Sequence, residues 1–574
     1  MIQHYINPSD QRYLFLKSDD KHELIELQEH LNKIPQYMFL PSYTSIPKPE
    51  VHLDSFEKNG KKIYFCFSGL YLEVLNWCKE KGIQTTLTDD IFYKKPKLSF
   101  DEFCDLVKSW NLSLTPYDYQ LQSAYNIISY TQSLSSICTR AGKTLIAYMV
   151  YRYLQEIEGV KKILMIVPSI QLVKQGYEDL KEYAEFFKTE TVWAKGESVS
   201  CANLTIGTFQ SLVKRCDKRS PKYDPKFFNG YECVCVDEVH NAKAQSIKSI
   251  LSQPFMKNVK VKFGFSGTLP LKGTLDSFSV QEMLGGKIQD ISPKELIDGG
   301  FISDLHITQY RIKYPELEKS TGLTYEYIKC AEYLCSTFEE GEKKGSKVLR
   351  PQEERDMCMV HEKKLPYAIR QLRDKVSKES NPVIKTNMLH QYCDYLIDSC
   401  KANGSNLLVL ENYVAQHSTR KEQLIKNIVK QSNDGNIILF FHYNEYCKYI
   451  YNILKNEFPD RQVLCMTGAT APKKREAYKK LMKDNDNVVL CANYGVSSTG
   501  LTLRLKYGVF VESFKSHIIV KQSLGRGLCL DPSKDHFELY DIIDCLPTNR
   551  IKVQGVQKCK IYKQEDFKYD IIQV

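Results

Sequence analysis

The eleven residues from Ser136 to Ile146, Ser-Ile-Cys-Thr-Arg-Ala-Gly-Lys-Thr-Leu-Ile, leave this chain few folds to choose from. A turn that wraps a polyphosphate needs inward backbone N–H groups, a small residue at the closest approach, a lysine, and a hydroxyl for Mg²⁺. It also needs a helix whose positive N-terminus faces the phosphates. Gly142, Lys143 and Thr144 supply the small residue, the lysine and the hydroxyl in that order, with Thr139, Arg140 and Ala141 leading in. Apolar side chains at helical spacing follow from Leu145 to Leu154. The fit is partial, because Ile137 stands where the full pattern has its first glycine and Arg140 replaces a small residue. An ordinary turn before a helix has the same four letters Ala-Gly-Lys-Thr, so the rest of the chain decides.

Short apolar runs ending in small or polar residues flank this turn. After it come Lys162–Pro168, Leu204–Gln210, Cys233–His240 and Lys262–Leu269, with helical segments between most of them. A parallel sheet buried on both faces, with functional residues at the strand ends, reads this way. The third run ends in Asp237-Glu238. Adjacent acids at the carboxyl end of an apolar strand suit two tasks of phosphoryl-transfer chemistry, holding a metal and activating a water. A strand followed by an acidic turn is the plain alternative. About twenty residues before the turn, Tyr117 and Gln120 are an aromatic and an amide able to stack on and hydrogen-bond a purine base.

A second α/β half begins near Phe301, with strand-like runs Asn436–Phe441, Gln462–Thr467, Asn487–Cys491 and Gly508–Val511. It carries no second phosphate turn, but has the clusters Gly495–Leu501 and Gln522–Arg526. Before the first half, residues 1 to about 110 contain a strand-like Lys62–Phe67, a helix expected over Gly69–Lys81 with its stop at Gly82, and Ile83–Thr88 as a returning strand.

A net charge of +10 favours a polyanionic partner, unless the lysines are only a solvated surface. With 43% hydrophobic and 26% charged residues the composition is globular. The nineteen cysteines are scattered, several within strand-like runs, and read as reduced core residues of an intracellular, cytoplasmic protein. The N-terminus lacks the pattern of a signal peptide and no stretch approaches eighteen apolar residues, so no membrane span is expected.

The ordered set Thr139–Thr144, Asp237–His240, Ser266-Gly-Thr268, Tyr494–Gly500 and Gln522–Arg526 resembles the superfamily 2 helicases, and in the wording of its last two segments a phage recombination branch of them. The resemblance spans about residues 110 to 545. It implies an α/β fold of two RecA-like parallel-sheet domains in tandem, with a small N-terminal α/β accessory domain and an insertion in the second RecA-like domain. The boundaries expected are 1–110 for the accessory domain, 111–300 for the first RecA-like domain, 301–547 for the second with its insertion at about 320–415, and 548–574 for a tail.

For the site, the resemblance implies ATP and Mg²⁺ as cofactors, with Lys143 and Thr144 on phosphates and metal, Asp237 on the metal and Glu238 on the water. It puts Gln120 on adenine, Ser266 and Thr268 in coupling hydrolysis to strand movement, and Gln522 and Arg526, with Gly500, at the nucleotide from the second domain. Ser169, Thr208, Gln210, Thr467 and Thr499 fall in segments that touch the nucleic-acid backbone in such helicases, which implies little base specificity. The function implied is ATP-dependent unwinding or remodelling of branched DNA in replication, recombination or repair. The partner is DNA that is single-stranded, duplex or branched, with RNA as the alternative. An ATP-gated clamp of weak turnover and the motor subunit of a restriction complex are the other readings.

One departure bears on turnover. The sixth motif of these helicases usually carries a second arginine three residues after Arg526, and here that position is Cys529, with Arg504 or Lys521 as possible substitutes. Within the insertion, Gly341–Lys347 and Glu362–Lys364 are lysine-rich, and a helix is expected over Asn387–Ala402. Cys358-x-x-His361 and His390-x-x-Cys393 have zinc-ligand spacing, but their helix-like surroundings lack turn residues and argue against a metal.

Overall fold

The computed structural model describes residues 1–574 except 8–9, 33–50, 59, 193–200, 242–243, 271–274, 315, 319–322, 325–370, 373–374, 377, 403–404, 495–502, 514–515, 532–533 and 547–549. The chain forms two compact units, Met1–Leu296 and Ile297–Val574.

The first unit opens with four antiparallel strands, β1 (Ile2–Asn7), β2 (Asp10–Ser18), β3 (Leu53–Lys58) and β4 (Lys61–Phe67), in the order β1-β2-β4-β3. Strict alternation in β2 and β4 sends Leu14, Leu16, Tyr64 and Cys66 to one face, where they pack with Leu24 and Leu27 of helix Lys21–Asn32 and Val74 of helix Tyr71–Lys81. The second of these helices ends where the sequence predicts it. Gly82 takes a left-handed φ of 67° and its N–H bonds the carbonyl of Cys78.

Ile83–Thr88, expected as a strand, makes only a single bridge between Thr85 and Ile2. Beyond that bridge its hydroxyls take up the backbone donors instead. Thr86 Oγ1 accepts from the His4 N–H at 3.0 Å and Thr85 Oγ1 from Leu87 at 3.1 Å, which replaces a ladder. This module sits tightly on helix Leu275–Leu284. A Cβ at Gly69 would run into the carbonyls of Gln281 and Glu282, and buried His52 bonds Glu282 Oε1 at 2.8 Å.

The rest of the unit is a seven-stranded sheet made of β5 (Gln132–Ile137), β6 (Ile163–Val167), β7 (Thr189–Val192), β8 (Leu204–Thr208), β9 (Cys233–Val236), β10 (Val261–Ser266) and β11 (Lys287–Ile291). Every pairing is parallel, in the order β11-β5-β10-β9-β6-β8-β7. Each of the four apolar runs expected to be a strand is one (β6, β8, β9, β10), and their buried Leu164, Ile166, Val234 and Val236 pack with Leu212, Ile247 and Ile250 of the covering helices.

In the second unit, β12 (Asp304–Lys313) leads to a short hairpin of β13 (Glu316–Glu318) and β14 (Leu323–Thr324). Then follow β15 (Ile437–Phe441), β16 (Gln462–Met466), β17 (Val488–Asn493), β18 (Tyr507–Phe510), β19 (His536–Cys545) and β20 (Tyr569–Gln573). They form a second parallel seven-stranded sheet in the order β16-β17-β15-β18-β19-β12-β20. Two parallel sheets with helices, preceded by an antiparallel module, are the α/β architecture the sequence implies.

The expected helix at Asn387–Ala402 lies within helix Pro382–Ala402, whose Leu389, Tyr392 and Cys393 join the core beneath β15 and β17. Cys393 is therefore a core thiol, while Cys358, His361 and the lysine-rich 341–347 and 362–364 lie outside the described residues. Buried cysteines such as Cys66, Cys78, Cys233 and Cys235 are free thiols, and no helix among the described residues is long and apolar enough to cross a membrane.

Candidate active site

Three neighbouring strands of the first unit, β5, β10 and β9, end side by side, and their carboxyl-terminal turns assemble one polar cluster. The turn after β5 carries two left-handed residues, Arg140 at φ 77° and Gly142 at φ 75°, before helix Lys143–Glu156 begins. Such alternation turns successive backbone N–H groups toward one concavity, a nest suited to anions, at the positive end of a helix. Gly142 is needed twice over, for its φ and because a Cβ would collide with the Gln120 amide.

Lys143 leaves this turn to meet the turn after β9. Its Nζ lies 2.9 Å from Glu238 Oε1, with both side chains largely buried. Burial disfavours the ammonium, but the carboxylates of Glu238 and Asp237 outweigh it and hold the Lys143 pKa above its ordinary value. The same surroundings push Asp237 up to about 6, chiefly by desolvation and next by repulsion from Glu238. Among the described residues, these two acids thus face one lysine in a half-buried place. Glu238 itself adopts a left-handed φ of 49°, a strained value for a non-glycine residue and one common at functional sites.

The turn after β10 closes the cluster. His240 Nδ1 lies 2.7 Å from Ser266 Oγ and 3.3 Å from Glu238 Oε2. Burial lowers the His240 pKa, against the nearby Glu238 carboxylate, which raises it. Ser266 Oγ in turn donates to the Thr268 carbonyl at 2.7 Å and accepts from the Thr268 N–H at 3.1 Å. A Cβ on Gly267 would press on the N–H and hydroxyl of Thr139, so this turn lies directly on the phosphate-type turn. A chain of contacts therefore runs Lys143–Glu238–His240–Ser266–Thr268. His240 is the member to which the sequence reading assigns no role. Its signal was there, a polar residue three positions after Asp237 at a strand end.

Gln120 is buried and bound to the turn: Nε2 donates to the Ala141 carbonyl at 3.0 Å and Oε1 accepts from the Tyr117 N–H at 3.0 Å. Tyr119, not singled out by sequence, donates to the same carbonyl at 3.0 Å and stacks on the exposed Tyr117 with ring centroids 5.9 Å apart. Thr144 is half-buried in the first turn of its helix.

Further along the carboxyl edge of the same sheet, Ser169 and Thr208 follow β6 and β8 as helix N-caps, accepting from Leu172 and Ser211 at 3.3 Å each. Gln210 reaches back to the Pro168 carbonyl at 3.4 Å, so these three residues lie together.

In the second unit, Thr467 follows β16, its N–H bonded to Thr470 Oγ1 at 2.9 Å. Gln522 and Arg526 are buried on helix His517–Gly527, and Cys529 lies beyond that helix with its carbonyl accepting from Ser303 Oγ at 2.7 Å. Arg504 pairs with Asp486 at 2.6 Å and Asp531 at 2.9 Å, and Lys521 pairs with Glu565. Both candidate substitutes for the missing arginine are thus engaged elsewhere. Thr499 and Gly500 lie outside the described residues.

Comparison with known proteins gives three points. A family model described as the res subunit of type III restriction enzymes matches residues 113–271. The ATP-dependent DNA helicase UvsW of Enterobacteria phage T4 is 24% identical over 532 residues, covering 87% of this chain and 86% of that protein. Among solved structures, T4 UvsW aligns with 100% of this chain and 99% of its own at 18% identity and a TM-score of 0.40. A putative HsdR subunit of a type I restriction enzyme from Vibrio vulnificus aligns with 87% and 73% at 13% identity and 0.49. Along most of its length, this chain is similar to an ATP-dependent DNA helicase, UvsW of phage T4.

Proposed function

We propose that the chain is an ATP hydrolase that moves on or unwinds DNA, acting on branched DNA during replication, recombination or repair. The observation that carries the reading is the Lys143–Glu238–His240–Ser266–Thr268 chain, which links a phosphate-type turn to strand-end carboxylates and to a coupling turn. The sequence likeness to UvsW supports DNA as substrate.

The residues fit ATP with Mg²⁺. The left-handed turn offers N–H groups to phosphates, Thr144 and Asp237 are hard oxygen donors, and the two acids sharing one lysine leave negative charge for a cation to balance. Bound there, Mg²⁺ would neutralise charge developing on the phosphoryl oxygens. Lys143 then exchanges Glu238 for phosphate, which frees that carboxylate to orient water and accept its proton. His240 is placed to report that change to Ser266 and Thr268, since it contacts Glu238 and Ser266 together. Ser169, Thr208, Gln210 and Thr467 would hold a strand by its backbone, while Gln522 and Arg526 would serve the nucleotide from the second unit.

The test is ATPase and strand separation on single-stranded, duplex, forked and four-way DNA beside matched RNA. Stimulation by DNA with unwinding of the branched forms is expected. Stimulation by RNA alone would replace DNA with RNA as the substrate. The family model matching residues 113–271 favours a second reading, the motor subunit of a restriction complex, which co-purification with a nuclease subunit would establish.

A further inference from the structure

Strands β12 and β19 lie in parallel register with Asp304 opposite His536 and His306 opposite Glu538. Residues two apart share a face of a strand, so these four side chains form a square at the amino-terminal end of both strands. That edge is opposite the carboxyl end at which Thr467 sits, and none of the four has a place in the proposed motor.

The square is arranged like a ligand set. His536 Nε2 lies 3.3 Å from Glu538 Oε2, and His306 Nδ1 lies 3.8 Å from the same oxygen. The three donor atoms all fall within 4.8 Å of one another. Donors held at about 2.0–2.2 Å from a tetrahedral ion stand roughly 3.3–3.6 Å apart, so closing this set on an ion needs shifts of only about an ångström or less.

The two imidazoles lie with centroids 4.1 Å apart at an interplanar angle of 27°, presenting nitrogens at a common edge. Outer partners are in place too. Thr308 Oγ1 donates to Glu538 Oε1 at 3.2 Å, which fixes the carboxylate with its other oxygen toward the rings. Asp304 Oδ2 lies 3.8 Å from His306 Nε2, the nitrogen away from the shared edge. A carboxylate behind a histidine and a hydroxyl behind a carboxylate are how metal ligands are commonly oriented.

We infer that His306 Nδ1, His536 Nε2 and Glu538 Oε2 form a binding site for a divalent transition-metal ion of the Zn²⁺ class. Two imidazoles and one carboxylate suit borderline ions rather than Mg²⁺ or Ca²⁺, which prefer oxygen alone. Three protein donors leave a fourth position for water or an added ligand. The ion would clip the start of β12, the strand that enters the second sheet, to the start of β19.

The test uses the full-length protein after chelation, titrated with Zn²⁺ by equilibrium dialysis and followed by thermal unfolding. One ion bound per chain with micromolar or tighter affinity and a raised Tm are expected. His306→Ala with His536→Ala should weaken binding at least 100-fold while ATPase stays at the wild-type level. Thr308→Val, which keeps all three donors, should weaken it about tenfold. Co²⁺ in place of Zn²⁺ should give the intense d–d bands of a four-coordinate site without a thiolate charge-transfer band, which separates this site from any built on cysteine. Absence of Zn²⁺ binding, affinity unchanged in the double variant, or a cobalt spectrum dominated by thiolate would each overturn the inference.

Discussion

The two seven-stranded sheets share an architecture, but the buried acids of β19 and the acids that follow β9 are treated in opposite ways. In the second unit each buried acid under β19 has its own cation and further donors. Asp544 pairs with Lys421 at 2.7 Å, both about 1% exposed, and accepts from the Tyr314 hydroxyl at 2.7 Å. Asp541 pairs with Lys558 and accepts from Tyr562 and Gln309 at 3.0 and 3.1 Å. In the first unit Asp237 and Glu238 share one lysine, and desolvation pushes Asp237 up to about 6. Compensated charge holds a fold together, whereas charge left in excess at adjacent strand ends prepares a place for a ligand. In the proposed function, β19 of one sheet serves as scaffold and the strand ends of the other as chemistry.

Five substitutions bear on that contrast. The largest effect is expected at the shared lysine. Glu238→Gln should lower nucleic-acid-stimulated turnover by about 10²–10⁴-fold through lost water activation while the protein still binds ATP. Lys143→Ala should lose turnover and ATP affinity together, as a fluorescent nucleotide titration would show. Wild-type turnover in either variant would place the chemistry elsewhere.

Next comes Lys421→Met, which keeps the volume but strands Asp544. Breaking such a pair costs about 3–5 kcal/mol, read as a lower denaturation midpoint, with ATP affinity of the folded protein unchanged. A stability change under about 1 kcal/mol would mean that the two units do not differ as described.

A smaller, pH-dependent effect is expected at Glu512. Burial pushes this acid up to about 7, against bonds from the His442 and Tyr443 N–H groups that favour its ionised form. A folded-state pKa above the unfolded one means that the folded state holds the proton more tightly. Its contribution is therefore present at low pH and lost as pH rises from about 4.5 through 7. Relative to Glu512→Gln, the wild type should lose on the order of 1–3 kcal/mol across that window, measured by denaturant titration at several pH values. A pH-independent difference would show that the burial of Glu512 is fully compensated.

The smallest effect is expected at His240. Removing its contact to Ser266 with His240→Ala should leave ATP affinity within about twofold and reduce stimulated turnover about fivefold, on the order of one hydrogen bond. Equal loss of basal and stimulated turnover would make His240 part of hydrolysis rather than of coupling.

The chemistry-bearing turns were more legible in sequence than the sheets that carry them. Gly142-Lys143-Thr144 and Asp237-Glu238 stand out as the residue types a phosphate and a metal would demand, and β6, β9 and β15 announce themselves as unbroken apolar runs. Strand β5, which carries the phosphate-type turn, does not. Its Gln132-Ser-Leu-Ser-Ser-Ile137 is mostly polar, and it is a buried strand because neighbours satisfy it, as Gln289 does by donating to Ser135 Oγ at 2.9 Å. Strands β12 and β19 alternate rather than run apolar, and their polar members become legible only once Gln309 meets Asp541 across the pair. Tyr119 and His240 were missed for a related reason, since each works through a partner distant in sequence, Ala141 and Ser266.

The most direct test of the central claim is steady-state ATPase of the wild type and Glu238→Gln with and without forked DNA, beside ATP affinity measured on the same preparations. The account predicts DNA-stimulated hydrolysis in the wild type, its loss in the variant, and ATP affinity in the variant equal to or tighter than wild type. DNA-stimulated hydrolysis that survives in Glu238→Gln would contradict it.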